Sequence, residues 1–334
     1  MAQRVMPSSP DPGASVPRST AAALDAAART DEALLDPGLR EAFEACRRLH
    51  ADHGKTYYLA TLLLPPAKRP YVWALYGFAR YADEFVDSLT DPDPDALVAW
   101  SDDFLKSLDG QGPGDPVGQA MAATMRRWDI PREHVEAFLD SMRMDITQTG
   151  YATYADLQRY VYGSAAVIGL QMLPILEPLT PDAAARARAL GEAFQLTNFV
   201  RDVGEDLDRG RIYFPLEDLT RFGLTREDLF VARAQRRTPE AVRELLAFEA
   251  TRTRELYAFA VPGLDMVHPT SRDCLRTAYL LYGGILDEVE KAGYDVVDRR
   301  VRVGVPRRLA VALPRLAHAR LTRWSEARWE PLRS

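Results

Sequence analysis

Apolar side chains recur every three to four positions along most of this sequence, and the strict apolar–polar alternation typical of strands is scarce. Alanine, leucine, arginine and glutamate dominate these stretches, and all four favour helices. Proline- and glycine-rich breaks such as Asp91–Pro94 and Gly110–Gly114 separate them. The pattern predicts an all-α protein with helices over residues 31–52, 66–88, 95–108, 117–128, 131–148, 153–176, 182–208, 239–260, 271–292 and 305–328.

No change in composition and no internal repeat marks a second domain in the sequence. Helices joined by short connections pack as a bundle, and bundles commonly place a ligand cavity between their helices. We therefore expect a single-domain helical bundle with a central cavity over residues 31–334. Residues 1–30 contain much proline, serine and glycine and lack the apolar stretch of a signal peptide, so we expect a disordered tail there.

Charge and cysteine content exclude several classes of protein. The 334 residues include 42 Lys and Arg against 48 Asp and Glu, and the net charge of −6 argues against a nucleic-acid binder. Cys46 and Cys274 are too few for a disulfide scaffold, so we expect reduced thiols and a cytoplasmic protein. No apolar run approaches the roughly 18 residues that a membrane span requires.

The end of the chain differs from the rest in charge. Residues 299–334 carry ten arginines against two glutamates, a net charge of +8, so the preceding 298 residues carry −14. A basic terminal helix could contact the inner face of an anionic membrane peripherally, and a solvated arginine face is an equally good interpretation. The stripe of Leu309, Leu313 and Leu316 is first interpreted as core packing and second as a membrane-contact face.

Two segments carry carboxylates at helical spacing. Asp83 and Asp87 are four residues apart, with Glu84 between them, and Asp202 and Asp206 repeat that spacing. On a helix each aspartate pair lies on one side, one turn apart. Like charges at this spacing repel by roughly 0.3 kcal/mol even when exposed, so a neutralising cation is expected at both segments.

The surroundings of the two carboxylate pairs favour a metal site over a solvated helix face. A single such pair is common on exposed helices, but both pairs here are embedded among aromatic residues and arginines. Asn198 lies one turn before Asp202 on the same face. Hard oxygen ligands suit Mg²⁺, which is usually shared between a few carboxylates, waters and substrate phosphates. The two segments together indicate a diphosphate site.

A diphosphate also requires direct cationic contacts, and arginine can bind phosphate with two parallel hydrogen bonds. The basic residues in or beside the acidic segments are His53, Lys55, Arg80, Arg201, Arg209 and Arg211. The remaining histidines show no spacing typical of metal ligands.

These motifs resemble those of the squalene/phytoene synthase family, the head-to-head prenyl synthases, over residues 49–305. His53–Tyr58 resembles the opening phosphate-binding helix of that family. Asp83–Asp87 resembles its first aspartate-rich motif, although Glu84 stands where aspartate is frequent, and Asn198–Asp206 resembles its second. Further resemblances lie in Arg209–Pro215, in the small-residue helix Tyr160–Gly169 that lines the prenyl channel, and in Tyr282 and Tyr294–Arg299 near the diphosphates.

The resemblance implies the isoprenoid synthase fold and a Mg²⁺-dependent condensation of two identical prenyl diphosphates, with Mn²⁺ as the alternative metal. One diphosphate leaves, and the double bond of the second substrate attacks the allylic cation. A cyclopropylcarbinyl diphosphate forms and then rearranges. A dry apolar cavity would protect these cations from water.

The resemblance also implies roles for individual residues. The metal ligands would be Asp83, Glu84, Asp87, Asn198, Asp202 and Asp206. The substrate-binding residues would be His53, Lys55, Arg80, Gln195, Asn198, Arg201, Tyr282 and Arg299. Arg201 would also assist departure of the diphosphate with the four aspartates. Tyr160 would either hydrogen-bond the departing diphosphate or belong to the core.

Within the family, His53–Thr61 and Met142–Asp145 resemble phytoene synthases more than squalene synthases. The resemblance therefore implies two geranylgeranyl diphosphates as substrates, prephytoene diphosphate as intermediate and 15-cis-phytoene, a carotenoid precursor, as product, without NADPH. Squalene or dehydrosqualene synthesis from farnesyl diphosphate is the alternative. A non-catalytic assembly factor of the same fold is a third interpretation, but such relatives usually lose the acidic motifs, which are intact here.

Overall fold

The computed structural model describes residues 37–87, 93–110 and 112–329, except for the side chains of residues 87 and 323–329. The described chain forms fourteen α-helices: α1 (Arg40–His53), α2 (Lys55–Thr61), α3 (Arg69–Asp87), α4 (Pro94–Ser107), α5 (Pro116–Trp128), α6 (Arg132–Thr147), α7 (Tyr154–Val161), α8 (Val167–Leu176), α9 (Ala183–Asp208), α10 (Leu216–Arg221), α11 (Arg226–Ala234), α12 (Glu240–Ala260), α13 (Pro269–Lys291) and α14 (Val305–Trp329).

The predicted all-α fold class is confirmed. The described residues contain two isolated β-bridges, one between Gly150 and Ile212, and no strand. Every predicted helix has a counterpart, and most ends agree within two residues. The predicted tail of residues 1–30 and the predicted helical residues 31–36 lie outside the described part of the chain.

The helices that the sequence did not predict are short. α2, α10 and α11 have seven, six and nine residues, fewer than the window over which helical periodicity becomes a clear signal. The predicted helix over 153–176 is interrupted by a π-helical turn, Tyr162–Ala166, between α7 and α8. Such turns are frequent at functional sites.

Capping residues explain where several helices begin. Asp93 and Asp115 each precede a proline and accept a hydrogen bond from a main-chain amide of the first turn, at α4 and α5. Thr153 forms a reciprocal capping box with Asp156 at α7. These side chains satisfy amides that the helix itself leaves unpaired, and so they fix the helix starts.

α9 is the central helix of the bundle and packs against α8, α12 and α13, while α1 packs against α3 and α5. Phe43 of α1 and Trp73 of α3 are among the largest fully buried side chains of the described residues. Gly191 lets α9 approach the π-helical turn closely, because a Cβ at this position would lie 2.4 Å from the carbonyl oxygen of Ala165. The cavities described below open beside this contact.

α14 packs along α13, and its Ala312 and Ala319 are buried. Leu316 packs against the core, whereas Leu313 and Leu321 are exposed. The leucines of this helix therefore divide between core and surface. In the part of the chain that the structure covers, no helix combines the length and the apolar character needed to cross a membrane.

Candidate active site

Most of the residues singled out in the sequence converge on one polar cavity of about 600 Å³. Its walls come from the junction of α1 and α2, from α3, α6, α7, α9 and α13, and from the segment leading into α14. Eleven of the fourteen predicted site residues line it: His53, Lys55, Arg80, Asp83, Tyr160, Gln195, Asn198, Arg201, Asp202, Asp206 and Tyr282.

The first acidic segment reaches the cavity through α3. Arg80 and Asp83 line the wall, and Arg80 Nη1 lies 3.0 Å from Asp83 Oδ2 while Nη2 contacts Glu84. Glu84 does not line the cavity, so its predicted metal role has less geometric support than that of Asp83. The side chain of Asp87, at the end of α3, lies outside the described residues.

The Asp202 carboxylate of α9 is held by two arginines, one from α9 itself and one from the segment between α13 and α14. Arg201 donates Nε and Nη2 to its two oxygens at 2.6 and 2.5 Å. Arg300 approaches the same carboxylate at 2.8 Å and also pairs with Glu205 at 3.2 Å. Asp206, one turn further along α9, has Arg209 at 3.9 Å. The carboxylates of this wall are thus already balanced by arginines.

Arg201 is a permanent cation in this cavity. Burial opposes its charge, but its hydrogen bonds and ion pair with Asp202 outweigh that effect and hold the pKa of Arg201 above its usual range. Its side chain is only 15% exposed. A buried guanidinium with its geometry fixed by a carboxylate suits the recognition of a phosphate.

For His53, the last residue of α1, the surroundings favour the neutral form instead of the charged one. Burial and then the nearby charge of Arg80 lower the pKa of His53 below its ordinary value of 6.5. The imidazole is therefore mainly neutral near pH 7. An anion entering the cavity would raise this pKa, since an opposite charge favours the protonated form.

Asn198 has a side-chain oxygen that is available to a ligand. Its amide nitrogen donates to Gln195 Oε1 at 3.3 Å, whereas Asn198 Oδ1 is buried and has no hydrogen-bond partner among the described residues. A buried acceptor of this kind normally has a partner, because leaving it unpaired costs free energy. Asn198 Oδ1 is also a hard oxygen ligand of the type that Mg²⁺ binds.

The donor set fits a metal that is shared with a substrate. Asp83, Asn198, Asp202 and Asp206 supply only oxygen ligands to one cavity. Among the residues that the structure describes, no three His, Cys, Asp or Glu side chains form a ready-made metal cluster. Mg²⁺ usually keeps several waters and takes one or two carboxylates plus substrate phosphates, so this arrangement is compatible with it.

Tyr160 is held by a buried carboxylate on α6. Its hydroxyl donates to Asp145 Oδ2 at 2.7 Å, and the Tyr213 hydroxyl donates to Oδ1 at 3.2 Å. Burial and then the Asp145 charge raise the pKa of Tyr160 well above its ordinary value. Tyr160 therefore lies in the cavity wall with its proton committed to Asp145, a contact that the sequence did not reveal.

Arg211 lies outside the cavity lining and connects helices instead. Its Nη2 donates to the main-chain carbonyls of Val86, at 3.3 Å, and Asp145, at 3.2 Å. These contacts join the ends of α3 and α6 to the turn that follows α9. Arg211 thus positions the segments that carry the site residues.

Arg299, which the sequence predicts to bind diphosphate, does not line the polar cavity. Arg299 donates to the carbonyl of Asp295 at 2.9 Å, and its side chain is 59% exposed. Arg300, Arg302 and Arg308 line the cavity instead. The segment after α13 is irregular, so no periodicity indicates which of several adjacent arginines faces inward. The concentration of arginine in residues 299–334 was the only available signal.

A second, apolar cavity of about 310 Å³ adjoins the polar one. Tyr57, Tyr76, Gln195 and Asn198 line both cavities, so the two meet at this wall. Small and apolar residues of α8, α9 and α13 form most of the remaining lining. The site therefore combines a charged chamber with an apolar channel.

Aromatic rings stand at the junction of the two cavities. Tyr57 and Tyr282 stack with centroids 4.4 Å apart, and Phe194 lies 4.6 Å from Tyr282. Tyr57 lines both cavities, Tyr282 lines the polar one and Phe194 the apolar one. The faces of aromatic rings carry negative electrostatic potential, so this cluster can stabilise a cation that forms at the junction.

Comparison with known proteins identifies relatives of this chain. The squalene/phytoene synthase family model matches residues 50–308, close to the span predicted from the motifs. A phytoene synthase of Arthrospira platensis is 36% identical over 278 residues, covering 79% of this chain and 88% of that protein. A 15-cis-phytoene synthase of Synechocystis is 37% identical over 282 residues, covering 80% and 82%.

Solved structures agree on the fold. A dehydrosqualene synthase in complex with a ligand superposes with a TM-score of 0.76 at 28% identity, covering 85% of this chain and 98% of that one. A squalene synthase from Alicyclobacillus acidocaldarius gives a TM-score of 0.71, also at 28% identity, with 79% and 98% coverage. The helical bundle thus has counterparts among solved structures.

Proposed function

The chain belongs to the squalene/phytoene synthase family, and on that basis we propose that it condenses two molecules of geranylgeranyl diphosphate head to head into 15-cis-phytoene, through prephytoene diphosphate. One structural observation carries this proposal: a charged chamber opens into an apolar channel, as a substrate with a diphosphate head and a prenyl tail requires. Relatives named phytoene synthases, which align over about four fifths of the chain, support the twenty-carbon substrate.

We propose that Asp83, Asn198, Asp202 and Asp206, together with Asp87 and to a lesser extent Glu84, hold Mg²⁺ or its alternative Mn²⁺. The unpartnered Asn198 Oδ1 and the shared cavity wall support this set. The metal would stabilise negative charge on the departing diphosphate. A metal held partly by the substrate also accounts for the absence of a preformed cluster in the described residues.

The basic residues of the chamber would bind and orient the diphosphates. Arg201 and Arg300 lie on one carboxylate, so a diphosphate entering beside Asp202 would meet two guanidinium groups already in place. Arg80 offers a third cation from α3, and His53 and Lys55 a further pair at the α1–α2 junction. Preorganised charge of this kind stabilises a leaving group without reorganisation at the moment of reaction.

The apolar channel would hold the prenyl tails and exclude water from the allylic cation. Tyr57, Phe194 and Tyr282 stand where the diphosphate end meets the tail, so their ring faces would lie against the developing positive charge. Tyr160 would act as a positioning residue, since its hydroxyl proton is held by Asp145.

Condensation of farnesyl diphosphate to squalene or dehydrosqualene is the second candidate, supported by structural neighbours that carry those names. A product assay distinguishes the two. Purified protein receives either diphosphate with Mg²⁺, with and without NADPH, and hydrocarbons are identified by mass spectrometry. We expect phytoene from geranylgeranyl diphosphate, formed equally without NADPH. If only a thirty-carbon product forms, the substrate is farnesyl diphosphate instead. If the folded protein forms no hydrocarbon from either substrate, that result supports the non-catalytic interpretation.

The metal assignment is tested in the same assay with Asp206→Ala. We expect turnover to fall by about a hundredfold or more, the scale of losing one electrostatic group that acts on the transition state, with an unchanged circular dichroism spectrum. Asp208→Asn is the matched control, because Asp208 pairs with Arg233 at 2.6 Å and does not line the cavity. Equal activity of the Asp206 variant and the wild type would contradict the assignment.

We also propose a cytoplasmic enzyme with peripheral membrane contact through α14, which would serve a product insoluble in water. Leu313 and Leu321 are exposed on this arginine-bearing helix, at 55% and 65%. Flotation with anionic and neutral vesicles tests it, and we expect binding to anionic vesicles that Leu313→Asp weakens. No binding to anionic vesicles would overturn the proposal.

A further inference from the structure

The wall shared by the two cavities contains Ser164, a residue without a role in the proposed function. Ser164 lines both the polar and the apolar cavity, as Asn198 does. Its hydroxyl oxygen is buried and has no hydrogen-bond partner among the described residues, and the same holds for Asn198 Oδ1. A buried polar atom without a partner costs free energy, so a ligand that supplies the partner would be favoured at this wall.

The π-helical turn fixes the position of Ser164, because it packs between α6 and α9. On the α6 side, a Cβ at Gly163 would overlap Ser141 Oγ and a main-chain carbonyl oxygen. On the α9 side, the Ala165 carbonyl oxygen leaves no room for a side chain at Gly191. Both neighbours of Ser164 are thus in close contact with a helix, and the backbone that carries the hydroxyl has little freedom to move.

The junction of the cavities corresponds to one particular atom of a prenyl diphosphate. The phosphates suit the charged chamber and the hydrocarbon tail suits the apolar channel. The ester oxygen, which joins carbon 1 of the tail to the diphosphate, therefore lies between the two. A residue that lines both cavities is at the level of this oxygen.

Ser164 has the chemistry that this oxygen requires. A serine hydroxyl can donate a hydrogen bond, and its hydrogen rotates to meet an acceptor, whereas Asn198 Oδ1 can only accept. The hydroxyl of Tyr160, four positions before Ser164, already donates to Asp145 at 2.7 Å. The Ser164 hydroxyl is thus a donor of this wall that a substrate can use.

We propose that the Ser164 hydroxyl donates a hydrogen bond to the ester oxygen of the bound prenyl diphosphate and assists departure of the diphosphate. This inference rests on the proposed function, because it takes the ligand to be a prenyl diphosphate. When the bond between carbon 1 and this oxygen breaks, the electron pair stays on the oxygen and the carbon becomes the allylic cation. No proton leaves Ser164. The hydrogen bond strengthens as the oxygen gains negative charge, so it stabilises the transition state more than the bound substrate and raises kcat.

Ser164→Ala tests this role in steady-state and single-turnover assays of hydrocarbon formation with Mg²⁺. We expect kcat and kcat/KM to fall together by about tenfold or more, the scale of one hydrogen bond to a charged group, while KM stays within about threefold. Ser164→Thr keeps the hydroxyl and should recover most of the rate. Ser164→Cys keeps a side chain of similar shape but is only a weak donor, so it should resemble the alanine variant.

Thr277→Val is the matched control. Thr277, on α13, also has a buried hydroxyl with no hydrogen-bond partner in the described part of the chain, but it lines neither of the two cavities. Valine has nearly the same shape as threonine. Loss of this hydroxyl should therefore leave kcat and KM unchanged.

The possible failures are distinguishable. An unchanged kcat in the folded Ser164→Ala variant overturns the role of the hydroxyl, and so does a rise in KM alone, which indicates equal binding of substrate and transition state. A cysteine variant as fast as the wild type overturns it as well. In these cases the wild type still forms its hydrocarbon, so the proposed function is unaffected. If the wild type uses only farnesyl diphosphate, the same variants are compared on that substrate, which has the same ester oxygen. A wild type that forms no hydrocarbon from either substrate overturns both proposals.

Discussion

At the scale of single residues, the arginines and carboxylates of the chamber neutralise one another in pairs. Arg80 binds Asp83 and Glu84, and Arg201 binds Asp202. Each arginine can therefore act as a counter-ion for its carboxylate in the free protein and as a ligand for a diphosphate when a metal occupies the carboxylate. Such pairing keeps many like charges compatible in one cavity.

The sequence motif predicts that Arg299 binds diphosphate, whereas in the structure its neighbour Arg300 lines the polar cavity. Alanine variants of the two residues distinguish these alternatives. Arg300→Ala should raise KM for the prenyl diphosphate by about tenfold or more, since a hydrogen bond to a charged group contributes roughly 1.5–3 kcal/mol. Arg299→Ala removes a guanidinium that bonds only local main chain and Asp295 in the described structure, so KM should stay within about twofold. Steady-state kinetics measure both. A larger effect at Arg299 than at Arg300 would instead support the prediction made from the motif, that Arg299 binds diphosphate.

His50 predicts a pH dependence of stability. Its ring stacks on Tyr76 at 4.1 Å, neither ring nitrogen has a hydrogen-bond partner among the described residues, and burial lowers its pKa from 6.5 to about 3. The unfolded chain binds this proton more readily than the folded protein. The stability contributed by the neutral ring is therefore fully present above pH 6.5 and is lost as pH falls toward 3.

His50→Phe keeps the stacked ring and removes the titration. Between pH 6.5 and 5, the free energy of unfolding of the wild type should fall by up to about 1.4 kcal/mol per pH unit more steeply than that of the variant. Urea unfolding at several pH values measures both slopes. Parallel slopes would show that His50 does not titrate with unfolding in this range.

At the scale of elements, the site depends on how closely α9 approaches the small-residue segment. The sequence predicts one continuous helix over residues 153–176, whereas the structure has a π-helical turn over Tyr162–Ala166. Ser164, within this turn, lines both cavities. Periodicity alone does not reveal such a turn, because its five residues are fewer than the window of about 11–18 residues over which a helical period becomes clear.

Gly191→Ala should be destabilising. The new Cβ would lie 2.4 Å from a main-chain oxygen, which cannot move without displacing a helix, so a cost of about 1–3 kcal/mol is expected. Gly283→Ala is the opposite case, because the new Cβ would meet only Tyr257 Cε1 at 3.9 Å inside α13. Helix propensity should stabilise that variant by about 0.5–1 kcal/mol. Chemical denaturation measures both, and equal effects would contradict the close approach.

At the scale of the whole molecule, one ligand would connect elements distant in the sequence. The chamber draws on α1, α3, α9, α13 and the segment before α14, and the channel continues between α8, α9 and α13. Like charges from separate helices face one cavity there. A bound metal and diphosphate would therefore stabilise the bundle as a unit.

Thermal unfolding with inorganic diphosphate and Mg²⁺ tests this coupling. A ligand at 100 times its dissociation constant adds about 2.7 kcal/mol of stability, which raises Tm by several degrees in a chain of this size. We expect the rise only with both components, and we expect Asp206→Ala to lose it. A similar rise with diphosphate alone would indicate that the arginines bind the anion without a metal.

The sequence by itself determined the all-α class, the longer helices, the family and most of the residues that line the polar cavity. Periodicity and breaks are local properties, and carboxylates four residues apart share a helix face wherever the helix is placed. Eleven predicted residues therefore reached the same cavity once the bundle formed.

Only the tertiary structure decided which partners those residues meet. Arg300 rather than Arg299 faces Asp202, Asp145 holds Tyr160, and Arg186 donates to the main-chain carbonyl of Phe259. Each of these contacts joins positions at least 15 residues apart, and two of them span more than 70. No local pattern encodes such contacts, because they depend on the packing angles between helices and on the path of irregular segments.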